Sequence, residues 1–171
     1  METPKKLKYD SVEEIRSKIN ILREANKKQK LHDISYRKKQ LNILRAAILK
    51  YEKEIHESNK IDLNHSEFNS VLTSSNMVIQ DINYTLSHID SWTAKRSVDV
   101  PIMFAPGKSY IVPEPYGVCL VMASWNFQYS TLLQPVAQAI SAGNCVLAKP
   151  SEMATESAYI CQKILGELDP D

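Results

Sequence analysis

An α/β fold is what this sequence predicts: a helical layer, then an extended arm, then a parallel β-α-β-α unit. Three observations predict it. Apolar residues recur at helical spacing through a first half in which neither glycine nor proline interrupts residues 5–100. Pro101, Pro106, Gly107, Pro113 and Pro115 then cluster, as they do in turns and edge segments. Finally, two short apolar runs, GVCLVMA at 117–123 and CVLAK at 145–149, flank a segment of helical length.

The helical layer divides into three candidates. Ser11 and Glu14 form a capping-box pattern, followed by Val12, Ile15, Ile19 and Leu22 on one face. A second helix is marked by Leu41, Leu44, Ile48, Tyr51 and Ile55, and a third by Val71, Val78, Ile82, Leu86 and Ile89. The spacing from Leu41 to Ile55 covers too few heptads to read as a coiled coil. VPIMFA, the turn PGK and SYIVPEP read as a strand pair or extended arm. GVCLVMA reads as a strand buried on both faces. Residues 130–142 read as a helix, with Gly143 available for a left-handed C-terminal cap. CVLAK is a second buried strand and MATESAYICQKIL a second helix, an order that calls for right-handed parallel crossovers. The expected divisions are 1–98 for the helical segment, 99–116 for the arm and 117–171 for the start of the parallel domain.

Composition excludes several classes. With 43% hydrophobic and 24% charged residues, the chain is not globally disordered. A net charge of +1 gives no general attraction to nucleic acid or membrane. Residues 1–60 do carry 16 Lys/Arg against 9 Asp/Glu. NKKQK and RKK read as solvated faces of amphipathic helices, so no nucleic-acid partner is expected. No stretch is apolar and long enough to span a bilayer, and METPKKLKYD lacks the apolar core of a signal peptide. A cytoplasmic location is therefore expected, with the sequons NHS and NYT fortuitous. Cys119, Cys145 and Cys161 are odd in number, lack metal-ligand spacing and read as reduced structural thiols, with no metal expected.

The chemistry gathers after the two strands. Ligands in open α/β sheets bind outside the carboxyl ends of strands. The loop after the first strand, Ser124-Trp125-Asn126-Phe127, is not glycine-rich, and neither GxGxxG nor GxxxxGK[ST] occurs anywhere. Asn126 offers a neutral amide donor for a developing oxyanion, or else a turn residue satisfying nearby backbone. Lys149 and Glu152 flank a Pro-Ser turn. They form either a donor and acceptor for a ribose diol or a surface ion pair at a helix start.

The segment EPYGVCLVMASWNFQYSTLLQPVAQAISAGNCVLAKPSE closely resembles the aldehyde dehydrogenase superfamily, particularly its class 3 or fatty aldehyde branch. RKKQLNILRAAILKYEKEIHESNKIDL and IDSWTAKR are similar to the same branch upstream. The resemblance covers roughly residues 12–165. It implies a Rossmann-like coenzyme domain, here incomplete, whose non-glycine loop is normal for the family. It further implies that Asn126 is the oxyanion-hole residue, that Lys149 and Glu152 bind the adenosine ribose of NAD or NADP, and that Trp125 borders the coenzyme. An aldehyde substrate, medium- or long-chain aliphatic in that branch, and a homodimer in the full-length protein are implied too. The family's nucleophilic cysteine and general-base glutamate lie downstream of the KPSE pattern. The chain is therefore expected to be the N-terminal portion of an enzyme, inactive and poorly folded alone. A non-catalytic interaction or regulatory protein is the alternative. Two positions depart from the family pattern: Ser124, and Gln128 where proline is common, which leaves the turn bearing Asn126 less restrained.

Overall fold

The structure, a computed structural model, describes residue 7 and residues 9–169. The reading of the N-terminal ten residues lies largely outside them. Helix α1, Val12–Lys27, starts at the expected capping box: the Glu14 amide donates to Ser11 Oγ at 3.1 Å and the Ser11 amide to Glu14 Oε2 at 2.7 Å. None of its residues is fully buried; Ile19 and Leu22 are half-covered where the helix lies against the parallel strands.

The second helix of the sequence reading is two helices. Helix α2, Ile34–Lys50, and helix α3, Glu52–Leu63, meet at Tyr51, whose φ of −98° and ψ of 14° leave the helical region. The Tyr51 ring sits beneath the ammonium groups of Lys50 and Lys163, and its hydroxyl donates to Glu167 Oε1 at 2.8 Å. A tertiary anchor at the joint thus accompanies a bend that heptad-like spacing conceals. The third candidate begins earlier than expected, as α4, Glu67–Ser70, capped by Ser66. It passes through a π turn at Val71–Ser75 into α5, Asn76–Thr93.

The arm pairs antiparallel strands, but its first strand is β1, Arg96–Val98, upstream of VPIMFA, joined to β2, Ser109–Ile111. Ile102–Phe104 form a 3-10 turn instead, in keeping with the flanking Pro101 and Pro106. Strands β3, Val118–Met122, and β4, Cys145–Lys149, then pair in parallel, with Val121 opposite Ala148 and Met122 opposite Lys149. Helix α6, Ser130–Ser141, connects them, and Gly143 takes the left-handed conformation at φ +89°. Helix α7, Thr155–Leu165, follows β4.

One hydrophobic cluster joins the layer to the sheet. Leu41, Leu44 and Ile48 of α2, Ile82 and Ile89 of α5, Leu132, Leu133 and Val136 of α6 and Ile164 of α7 are its buried centre. The sheet contributes Val121, with Val146 and Ala148 packed against it. Within the described residues only one face of the sheet is covered, whereas the sequence reading expects burial on both. Leu120 and Met122 alternate with Val121, point away from the cluster and are 58% and 68% exposed.

Candidate active site

Strand pairing places the two predicted clusters at one end of the sheet. The hydrogen-bonded register continues beyond Met122, where the Ala123 amide donates to the Lys149 carbonyl at 3.0 Å. The loop bearing Trp125 and Asn126 therefore leaves β3 beside the point where Lys149 ends β4. Both loops open at the carboxyl ends of adjacent parallel strands, the position that topology favours for ligands.

Trp125 is 56% exposed and Asn126 is exposed. Among the described residues the Asn126 amide has no hydrogen-bond partner, so it does not serve as a turn or cap group. The Phe127 carbonyl is what starts α6, accepting the Thr131 amide at 2.9 Å and the Thr131 hydroxyl at 2.9 Å. Asn126 is thus left with its two N–H donors facing solvent at the strand end.

Lys149 Nζ donates to Glu152 Oε2, and each side chain is about half exposed. That hydrogen bond, reinforced by the charge of the ammonium, holds the Glu152 carboxyl below the usual carboxylate range. Glu152 is therefore a carboxylate at neutral pH. One cation and one anion lie together across the Pro150-Ser151 turn, as the sequence suggested. The ion-pair alternative describes the geometry, and both side chains remain accessible to a ligand.

The cysteines lie elsewhere. Cys161 is buried in α7, and burial followed by the nearby Asp62 pushes its thiol far up. Cys145 is raised by burial, then by Cys119. Both are poor thiolates, because a charged sulfur has no solvation there. Among the described residues no group of His, Cys, Asp and Glu is arranged to hold a metal ion, and no helix is long and apolar enough to cross a membrane.

Sequence reasoning missed a buried polar group beneath the loop. Gln128 is 3% exposed, and its Nε2 donates to Asn59 Oδ1 at 2.8 Å and to Ser157 Oγ at 3.0 Å. The turn lacking a proline is thereby tied down by a side chain. Asp62 accepts from the Glu156 and Ser157 amides at 3.2 and 2.8 Å, closing the N-terminus of α7 from another helix. A signal was present: Ile55, Ser58, Asn59 and Asp62 follow i, i+3, i+4, i+7 spacing, which puts three polar residues on a core-facing stripe.

A family model described as the aldehyde dehydrogenase family matches residues 2–170. The chain belongs to the aldehyde dehydrogenase family. It is 34% identical over 139 residues to the 4,4'-diaponeurosporen-aldehyde dehydrogenase of Staphylococcus aureus, covering 81% of this chain and 30% of that protein. To aldehyde dehydrogenase family 3 comG of Dictyostelium discoideum it is 33% identical over 151 residues, covering 88% and 32%. The solved substrate-bound state of Staphylococcus aureus AldH superposes with a TM-score of 0.88 at 32% identity, covering 91% of this chain and 34% of that one. Betaine aldehyde dehydrogenase from the same organism, solved with NAD+, shares the fold at 18% identity and a TM-score of 0.82 over 94% of this chain and 32% of that one. The aldehyde dehydrogenase chain therefore spans about a third of the length of the relatives it matches, and those include class 3 members.

Proposed function

We propose that this aldehyde dehydrogenase chain supplies the oxyanion donor and the coenzyme-ribose grip for NAD(P)-dependent oxidation of an aldehyde to a carboxylic acid. In that reaction the aldehyde carbon gains an oxygen from water and loses a hydride. The observation that supports the reading most is the juxtaposition of an uncommitted Asn126 amide with the Lys149–Glu152 pair at adjacent strand ends.

A nicotinamide coenzyme fits the donor set. Its adenosine ribose is a vicinal diol, needing an acceptor for its hydroxyl protons and a donor for its lone pairs. Glu152 and Lys149 provide one of each, charged and accessible, and Trp125 offers an exposed aromatic face on the neighbouring loop. When bound, the coenzyme supplies the acceptor for the hydride.

The protein's own contributions are electrostatic. Asn126 donates an amide N–H to the aldehyde oxygen as the carbonyl carbon becomes tetrahedral, stabilising negative charge without titrating. Glu152 and Lys149 hold the coenzyme by its adenosine ribose, at the end remote from hydride transfer. We assign the nucleophilic thiolate and the general base to residues other than those described, because burial raises the Cys145 and Cys161 thiols and Cys119 lies within strand β3, away from the strand end that carries the loop. The exposed Ile102, Met103 and Phe104 of the arm suit a homodimer contact.

Calorimetric titration tests the coenzyme half. Glu152→Gln is expected to weaken NAD+ binding about tenfold, the scale of one charge-assisted hydrogen bond. It should also narrow discrimination against NADP+, whose 2′-phosphate a carboxylate repels. Lys149→Ala is expected to weaken both. Wild-type affinity for both coenzymes in both variants would overturn the assignment.

A further inference from the structure

Beneath the loop bearing Asn126, buried hydrogen bonds tie three elements together, and their polarity is determined. Asn59 commits both its N–H groups, to Ser70 Oγ at 2.6 Å and Ser74 Oγ at 3.0 Å, so only its carbonyl oxygen remains for Gln128. Ser157 commits its hydroxyl proton to Asp62 Oδ2 at 2.7 Å, so toward Gln128 it can only accept. Gln128 must therefore present its NH₂, and both of its protons are used. The next residue is anchored as well. Ser58 Oγ donates to the Ile55 carbonyl at 2.9 Å, leaving the buried Tyr129 hydroxyl to donate to Ser58 Oγ at 2.6 Å. Residues 124–127 are exposed, so Gln128 is the first buried residue after the loop.

We propose that Gln128 is a positioning residue for the Asn126 amide. Its two hydrogen bonds lock the loop after β3 to α3 and to α7, the helix that follows the Lys149–Glu152 turn. The inference rests on the reading of Asn126 as the oxyanion donor. Such donors act through preorganisation, since an amide already aimed at the developing charge needs no reorientation during reaction. An exposed loop two residues from an anchored one has little freedom to swing; with that anchor removed, the amide spends part of its time misdirected.

A double-mutant cycle tests this in the enzyme that carries this chain. Gln128→Met keeps most of the side-chain volume and removes both donors. It is expected to lower kcat about 10- to 100-fold, the scale of a small misplacement, with coenzyme affinity and aldehyde KM nearly unchanged. In an Asn126→Ala background the same change is expected to have almost no effect on kcat, because it acts through that amide. Ser157→Ala, a milder change, should give a smaller loss that vanishes in the same background. Wild-type kcat in Gln128→Met, or an equal loss with and without Asn126, overturns the proposal. If Asn126→Ala alone has wild-type kcat, the oxyanion reading fails instead. Amide exchange at Trp125–Phe127 in the same enzyme then decides Gln128 independently. Faster exchange in Gln128→Met supports the anchor, and unchanged exchange removes it.

Discussion

At Gly143 the backbone φ is +89°, and a Cβ added there would lie 2.7 Å from a guanidinium nitrogen of Arg37. That guanidinium is buried, donating through Nε to the Leu31 carbonyl and through Nη1 to the Ser141 carbonyl at 3.0 Å. Ser141 closes α6, so the cation sits where the helix dipole and an unpaired carbonyl both favour it. Gly143→Ala combines left-handed strain with displacement of Arg37. The expected loss is about 1–3 kcal/mol, read from urea unfolding. A midpoint equal to that of the parent would show that the turn relaxes freely. The same glycine leads the chain into β4, so strain there reaches the strand that delivers Lys149.

Among the elements, α7 depends most on a distant residue. Its N-cap position is Ala154, which has no side-chain acceptor, and the Asp62 carboxylate of α3 takes the Glu156 and Ser157 amides instead. Asp62→Ala is expected to cost about 1–3 kcal/mol, the scale of hydrogen bonds to a charged group. It should also abolish exchange protection at those two amides, and retained protection would contradict the capping role. This contact shows where sequence reading stops. The Ser11–Glu14 box spans three positions, and the two strands, their connecting helix and Gly143 follow from local pattern; all were legible. Gln128 reaches Asn59 across 69 positions and Asp62 reaches Ser157 across 95; the polar stripe on α3 marks one side of each contact, and nothing local reports its partner. The π turn belongs with them. Ser70 and Ser74 both meet the Asn59 amide, so a tertiary contact shapes the helix where propensity alone predicts a regular one. At the candidate site, Asn126, Lys149 and Glu152 could be singled out from strand ends, whereas of the polar support beneath them only the stripe on α3 was legible, not what it holds.

For the whole molecule, a single cluster spans α2, α5, α6, α7 and β3, while Leu120 and Met122 present the other face of the sheet to solvent. The helical layer thus serves as the floor on which the two strand ends and their loops are held. The central claim is a division of labour between those loops. We propose that the loop after β3 stabilises charge on the reacting aldehyde and that the turn after β4 holds the coenzyme. Steady-state kinetics of Asn126→Ala in the enzyme that carries this chain, with calorimetry of NAD+ on the same variant, tests it most directly. The account predicts that kcat falls about 10²–10³-fold, the usual loss for one oxyanion donor, while coenzyme affinity stays at the parent value. A parent-like kcat, or a loss that appears only as weakened coenzyme binding, would contradict it.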